Sequence, residues 1–322
     1  MTDKTLAIGV DLGGTKIETV VADAAGNVYG EDLRPTLAAQ GPDAVIARIV
    51  DSIRQACKSA NIAPSDTLGI GISSPGPVKP KEGIVTDAPN LPGWHNIHIT
   101  KLVSDAVGLP TLLENDANAA AYGECLFGAA MGLKHVVYVT LGTGIGGGLI
   151  LDGKIYEGAS GAAGEVGHLI VLPDGPVCNC GNRGCVEALS AGPAIARDAA
   201  ALIAAGNAPV LAELAAGKTL TAEIVLEAAR QGDVEARGVL RRAGYYLGLG
   251  LTGLLNTFDP QALILGGGLT NLGDFYLAPA IETARAGAFP QIIADVLITT
   301  AKLGNRAGAL GAAALVIKRP LA

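Results

Sequence analysis

Residues 7–23 read AIGVDLGGTKIETVVAD, and 129 residues further on, residues 136–152 read VVYVTLGTGIGGGLILD. In each, an apolar run meets a glycine turn and a second apolar run follows. Leu12, Gly13 and Asp23 fall on Leu141, Gly142 and Asp152. Short runs rich in β-branched residues and bounded by glycine read as strands. Each stretch is therefore an expected strand–turn–strand unit, and their likeness predicts two related lobes. Identity between them is thin, so two unrelated hairpins is the competing reading.

Working outward, Leu6–Asp11 and Ile17–Ala22 are the first expected strand pair. His135–Leu141 and Leu149–Leu151 are the second, around a glycine turn at Gly142–Gly148. Apolar residues at helical spacing (Val45, Ile49, Ile53) predict a helix over Asp43–Ala60, and Glu235–Phe258 reads as a long helix interrupted by glycines. Leu68–Ile72, Thr111–Leu113, Ala262–Leu265 and Ile292–Thr299 read as strands, and Ala307–Lys318 as a last helix. Strands followed by helices in this order predict an α/β fold.

The 322 residues are 49% hydrophobic and 16% charged, enough apolar surface for two domains or one large α/β unit. The 45 glycines follow no collagen period, so they belong to turns and close backbone approaches. A net charge of −7 with no basic run argues against a nucleic-acid partner. No apolar run of about 18 residues is present, so no membrane-spanning helix is expected. Met1-Thr2-Asp3-Lys4 leads directly into a strand, without the basic and apolar regions of a secretory signal. Cys57 and Cys125 stand alone, whereas Cys178, Cys180 and Cys185 cluster. That usage predicts a reducing, cytoplasmic setting and a metal rather than disulfides.

Asp11-Leu12-Gly13-Gly14-Thr15-Lys16 closes the first hairpin. Its glycines allow backbone N–H groups to approach a phosphate, and Thr15 adds a hydroxyl. Gly142-Thr143-Gly144 offers the same chemistry. Neither matches a Walker loop or opens a Rossmann helix, and each alone reads first as a plain hairpin, with their equivalent places in the repeat favouring the phosphate reading. Asp11 can hold water on Mg2+ beside nucleotide phosphates, or cap the turn. Gly266-Gly267-Gly268 after a buried strand makes either a flat shelf for a purine or ribose or a tight strand-to-helix turn.

Glu114-Asn115-Asp116-Ala117-Asn118 places carboxylates and amides between a strand and a helix. Asn115 or Asp116 suits a helix N-cap. Asp116 also suits a base accepting a hydroxyl proton, with Asn115 beside it on a substrate hydroxyl. His168, Cys178, Cys180 and Cys185 have the spacing His-x9-Cys-x-Cys-x4-Cys. One imidazole and three thiolates form a closed tetrahedral set, hence a structural Zn2+ with no open position. Glu165 and Glu187 flank that knuckle, either supporting the metal or aimed at a polyhydroxylated ligand.

Together these motifs resemble the ROK family (repressors, open reading frames and sugar kinases) of the actin-like ATPase superfamily. Cys178–Glu187 reproduces the family's C-x-C-G-x-x-G-C-x-E pattern, and Gly164–His168 its G-E-x-G-H motif. Asp11–Lys16 matches D-x-G-G-T-K, Ser74–Val78 the P-G-P-V loop, and Glu114–Asn118 E-N-D-A-N. The match covers nearly the whole chain. The resemblance implies a two-lobed α/β fold of the actin-like, ribonuclease H-like kind, with an interlobe cleft and a zinc knuckle. Residues 1–117 with the helix 305–322 would form the small lobe, and 118–304 the large lobe.

The resemblance also implies an ATP- and Mg2+-dependent hexose kinase in which Asp116 takes the proton from the sugar's 6-hydroxyl. Asn90, Asn115, Asp116, Glu165, His168 and Glu187 would hold the sugar, with His168 also on zinc through its other ring nitrogen. Asp11, Gly13, Gly14, Thr15 and Lys16, with Gly142 and Thr143, would form the phosphate turns, and Gly266–Gly268 the adenosine shelf. A homodimer or dimer of dimers is implied as well. Glucose is the expected hexose, because Glu187–Gly192 resembles the glucokinase version of that segment. N-acetylglucosamine, N-acetylmannosamine and fructose are the alternatives, and polyphosphate the alternative donor. A sugar-sensing repressor would carry a helix-turn-helix ahead of the first glycine turn, where only ten residues precede Asp11. A non-catalytic scaffold would have less reason to retain Asp116 and the knuckle.

Overall fold

The computed structural model describes residues 5–88 and 90–318. Residues 1–4 and 319–322, which include the end of the expected C-terminal lobe segment, lie outside the described residues. In chain order the strands are β1 (Leu6–Leu12), β2 (Lys16–Asp23), β3 (Val28–Pro35), β4 (Ile70–Ser74), β5 (Val78–Lys79), β6 (Ile84–Asp87), β7 (His95–Ile97) and β8 (Thr111–Asn115). They continue as β9 (Val136–Leu141), β10 (Ile145–Leu151), β11 (Lys154–Ile155), β12 (Ala262–Gly266) and β13 (Leu297–Thr300). One sheet has the order β3-β2-β1-β4-β8 and another β11-β10-β9-β12-β13. Numbered within each set, both read 3-2-1-4-5, so the two expected hairpins open two sheets of the same strand order. β5, β6 and β7 form a small antiparallel sheet.

The helices are α1 (Pro42–Ser59), α2 (Ile99–Val107), α3 (Asp116–Phe127), α4 (Val186–Ser190), α5 (Gly192–Ala204) and α6 (Pro209–Ala215). Then follow α7 (Ala222–Arg230), α8 (Val234–Phe258), α9 (Asp274–Gly287), α10 (Pro290–Asp295) and α11 (Ala307–Lys318). The chain divides into two compact units. Among the described residues, the first unit falls within 5–138, 148–164 and 301–318, and the second within 139–147 and 165–300.

In the first unit the two-residue period of a strand sorts β1 onto two faces. Ile8, Val10 and Leu12 join Val45, Ile49 and Ile53 of α1 and Ile99 and Val103 of α2. Ala7 faces the opposite side with Val20 and Ala22, against Ala309, Leu310 and Ala313 of α11. The residues between are small for a reason. A Cβ on Gly9 would fall on the Ala309 carbonyl, and one on Gly71 on the Ala312 carbonyl. α11 is buried from Ala307 through Val316, as a helix apolar all round must be. It also meets α3, where a Cβ on Gly311 would fall on the Ala119 carbonyl. Glu124 of α3, fully buried, accepts from the N–H groups of Ala129 (2.7 Å), Lys302 (3.0 Å) and Leu303 (2.8 Å). The helix beginning at Asp116 is thereby fixed along its length.

In the second unit α8 packs along α9, with Gly244 and Gly248 admitting the Tyr276 and Ala280 carbonyls. Asp233 caps α8 through the Ala236 N–H and ties in Leu211 of α6. Two expected boundaries are corrected. Gly146–Gly148 lie inside β10, not in the turn. Ile292–Asp295 is helical and only Leu297–Thr300 is strand, because Pro290 stands at the first helical position, where its fixed φ suits a helix.

Candidate active site

In the first unit, the turn between β1 and β2 is held by Gly13 N–H donating to the Lys16 carbonyl (2.9 Å). Thr36 secures it from outside, its hydroxyl donating to the Gly13 carbonyl (2.6 Å) and its N–H to the Thr15 carbonyl (2.9 Å). Thr15 is exposed, so its hydroxyl is open to a ligand. A Cβ on Gly14 would come within 2.9 Å of the Asn90 Cβ. The turn and the exposed Asn90 are therefore in contact range only because residue 14 is glycine. Lys16 pairs with Glu18 at 2.9 Å.

Asp11 is next after Ala7 and Gly9 on the α11 face of β1, which puts its carboxylate against Gly308 in the first turn of α11. A Cβ on Gly308 would lie 2.6 Å from Asp11 Cγ. The Ser73 hydroxyl donates to Asp11 Oδ1 at 2.6 Å. Burial pushes the Asp11 carboxyl up from its ordinary value, and the Ser73 hydrogen bond only partly offsets this. A group raised in the folded state makes ionisation costly to stability. Asp11→Asn is therefore expected to raise the melting temperature by about 1–4 °C near neutral pH. The gain should be absent below the ordinary carboxylate value of 3.8 and grow as pH rises to the raised folded-state value. A lower melting temperature at neutral pH would show that the carboxylate's contacts outweigh its burial.

β8 delivers Glu114-Asn115-Asp116 to the start of α3. Of the two N-cap candidates, Asn115 is the cap: its Oδ1 accepts from Ala117 N–H (3.0 Å) and Asn118 N–H (3.2 Å). Asp116 is thus the first helical residue, half-buried, with Oδ1 2.8 Å from its neighbour's N–H at Ala117. Asn115 Nδ2 reaches the Gly76 carbonyl at 3.4 Å, which ties the Ser74–Val78 loop to this segment. Beneath them, fully buried Glu114 accepts from Asn118 Nδ2 (3.1 Å).

In the second unit, the turn between β9 and β10 is Gly142-Thr143-Gly144, closed by Gly142 N–H on the Gly144 carbonyl (3.0 Å). Thr143 is exposed. The ligating atoms of His168, Cys178, Cys180 and Cys185 lie within 4.8 Å of one another. Cys180 and Cys185 sulfurs are 3.7 Å apart, and Cys178 Sγ is 3.6 Å from His168 Nδ1. Two thiolates on one tetrahedral zinc sit about 3.8 Å apart, so the donor set fits such an ion. Burial, then the neighbouring thiols, push Cys185 up to about 12. Three crowded thiolates need a cation to coexist. His168 turns Nδ1 to the sulfurs and Nε2 toward Glu165 Oε2, 3.7 Å away. Glu187, in the first turn of α4, places Oε1 3.9 Å from Cys178 Sγ and Oε2 on the Ile145 N–H at 2.9 Å.

A cavity of about 850 Å³ in this unit is lined by Gly142, Thr143, Pro193, Arg197, Thr221, Glu223, Gly268 and Leu269, among others. Its size and largely apolar make-up suit a nucleoside. Of the three consecutive glycines, only Gly268 lines it. Gly266 is buried at the end of β12, and Gly267 has φ 86°, with Leu141 backbone where a side chain would stand. Arg197, Thr221 and Glu223 come from α5, the residue before α7, and α7. No motif in the sequence marks them, because they meet only through packing.

The ROK family's sequence profile matches residues 7–319. A glucokinase from Thermotoga maritima is 36% identical over 317 residues, covering 98% of each chain. The solved ROK family glucokinase from Streptomyces griseus, in complex with glucose and AMPPNP, is 37% identical with TM-score 0.81, covering 96% of this chain and 98% of that one. A xylose repressor from Bacillus subtilis is 32% identical, covering 97% of this chain and 77% of the repressor.

Proposed function

The chain belongs to the ROK family, and from that premise we propose that it is an ATP-dependent glucokinase, moving the γ-phosphoryl group of ATP to the 6-hydroxyl of glucose. The observation that carries the reading is likeness along nearly the whole chain, at 35–39% identity, to glucokinases. The α/β two-lobed sugar kinase fold agrees with it.

Phosphoryl transfer asks a protein for positioning, charge neutralisation and a proton acceptor. Asp116 accepts the 6-hydroxyl proton. Asn90, Asn115, Glu165, His168 through Nε2, and Glu187 hold sugar hydroxyls. Gly13, Gly14 and Thr15, with Lys16, and Gly142 with Thr143 hold the phosphates. The cavity floored by Gly268 takes the adenosine, and Gly266 and Gly267 shape the turn that delivers it. Asp11 would hold water on the Mg2+ that accompanies ATP, an ion that neutralises charge on the transferring group. His168, Cys178, Cys180 and Cys185 would hold Zn2+, which fixes the knuckle without an open position. The compartment is the cytoplasm and the assembly a homodimer. Five thiols outside any disulfide support the first.

The test is a panel of glucose, N-acetylglucosamine, N-acetylmannosamine, fructose and xylose, each with ATP and Mg2+, and glucose with polyphosphate. ADP release should give glucose the highest kcat/KM, by about 10-fold or more over the others. A panel in which no sugar is phosphorylated contradicts the kinase reading, and a better alternative sugar contradicts the glucose assignment.

A further inference from the structure

The second phosphate turn is bonded at both ends to the segment that carries Glu187. At one end the Gly192 N–H, at the start of α5, donates to the Gly142 carbonyl at 2.9 Å. At the other the Ile145 N–H donates to Glu187 Oε2 at 2.9 Å. Ile145 is buried and is also gripped from the Gly164–His168 side, where a Cβ on Gly167 would fall on the Ile145 carbonyl. Gly144 stands so close to the carboxylate that a Cβ there would come within 2.8 Å of Glu187 Oε2. Thr143 and Glu187 line the same small cavity of about 200 Å³. Both sugar-side motifs therefore close on the residue that leaves the phosphate turn.

We propose that Glu187 couples the two substrates: its carboxylate, shared between a sugar hydroxyl and the Ile145 N–H, sets the arrangement of the Gly142–Gly144 turn, so that sugar and nucleotide each tighten the other's binding. This rests on the glucokinase reading given above. A bound hydroxyl donates to the carboxylate and fixes its rotamer. The fixed carboxylate then holds Ile145 N–H, and with it the turn whose exposed Thr143 would meet the phosphates. Such coupling is reciprocal for equilibrium binding.

The experiment measures dissociation constants of D-glucose and of AMPPNP with Mg2+, each alone and with the other saturating, by calorimetry. Wild-type protein should show the same tightening factor in both directions, about 5-fold or more. Glu187→Ala should weaken AMPPNP about 3- to 10-fold with no sugar present, although the side chain belongs to the sugar site. Gly144→Ala should weaken glucose by a similar factor with no nucleotide present, because the new methyl displaces the carboxylate. Gly144 has no left-handed φ, so the obstacle is the tip of a flexible side chain and the variant should fold. Should it not fold, the Glu187→Ala measurement decides alone. An unchanged AMPPNP constant in Glu187→Ala, or no mutual effect in wild type, overturns the coupling and leaves the kinase reading standing. Wild-type protein that binds no hexose overturns both.

Discussion

Asp116→Asn is expected to lower kcat by about 100- to 10,000-fold while glucose still binds within a few-fold of the wild-type affinity. The substitution keeps the side chain's size and one acceptor oxygen but removes the carboxylate's charge and, in the proposed mechanism, its capacity to accept the proton. Asn115, not Asp116, satisfies the two N–H groups at the start of α3, so the helix keeps its cap. The amide oxygen of asparagine can keep the 2.8 Å contact to Ala117 N–H. α3 is further held by Glu124 and by its close approach to Gly311, neither of which the substitution touches. Turnover and binding should therefore separate. Turnover within about 10-fold of wild type would remove Asp116 as the base. Loss of glucose binding with turnover in proportion would make it a sugar ligand only.

Loss of the metal is the second large effect. Cys180 is the exposed member of the donor set, so Cys180→Ser removes a ligand without opening the core. Zinc content should fall from one ion per chain toward none, and glucose affinity should drop about 10- to 100-fold. The reason lies in the neighbours. In the proposed site His168 would be both a metal donor and, through Nε2 beside Glu165 Oε2 at 3.7 Å, a sugar contact. Glu187 lies two residues beyond Cys185, with Oε1 3.9 Å from Cys178 Sγ. In the proposed site, a knuckle that opens would release Glu165, His168 and Glu187 from the sugar together. Chelation of the wild-type protein should reproduce the loss, and added Zn2+ should reverse it. A protein free of zinc with unchanged glucose affinity would separate the cysteine cluster from the site.

The parts of this molecule that were legible in the sequence are local ones. The donor set could be read because its thiols lie within eight residues, Cys178 to Cys185, and the fold brings them together with His168. The two hairpins could be read because alternation and glycine punctuation fix strand–turn–strand locally, whereas the matching 3-2-1-4-5 order of the two sheets depends on long-range strand pairings. Gly146–Gly148 were misread as turn because glycine is a poor strand former by itself. They are strand because packing overrides propensity: a Cβ on Gly148 would lie 2.5 Å from the Ala117 carbonyl of α3. The same reasoning hid Gly9, Gly71 and Gly311, whose smallness matters only once α11 is in place. Arg197, Thr221 and Glu223 had no signal at all, since their shared cavity exists only in three dimensions. Ser73, the hydroxyl on Asp11, was likewise invisible until the parallel pairing of β1 with β4 set Asp11 beside it.

The most direct test of the central claim is the identity of the product. The purified protein is incubated with glucose, ATP and Mg2+, and the mixture is followed by phosphorus NMR with proton coupling. One new phosphomonoester, coupled to the two protons on carbon 6 of glucose, is expected to form in step with ADP. 6-Deoxyglucose should give no product. A phosphoryl group on any other carbon, or ATP consumed with inorganic phosphate as the only product while glucose stays unmodified, would contradict it.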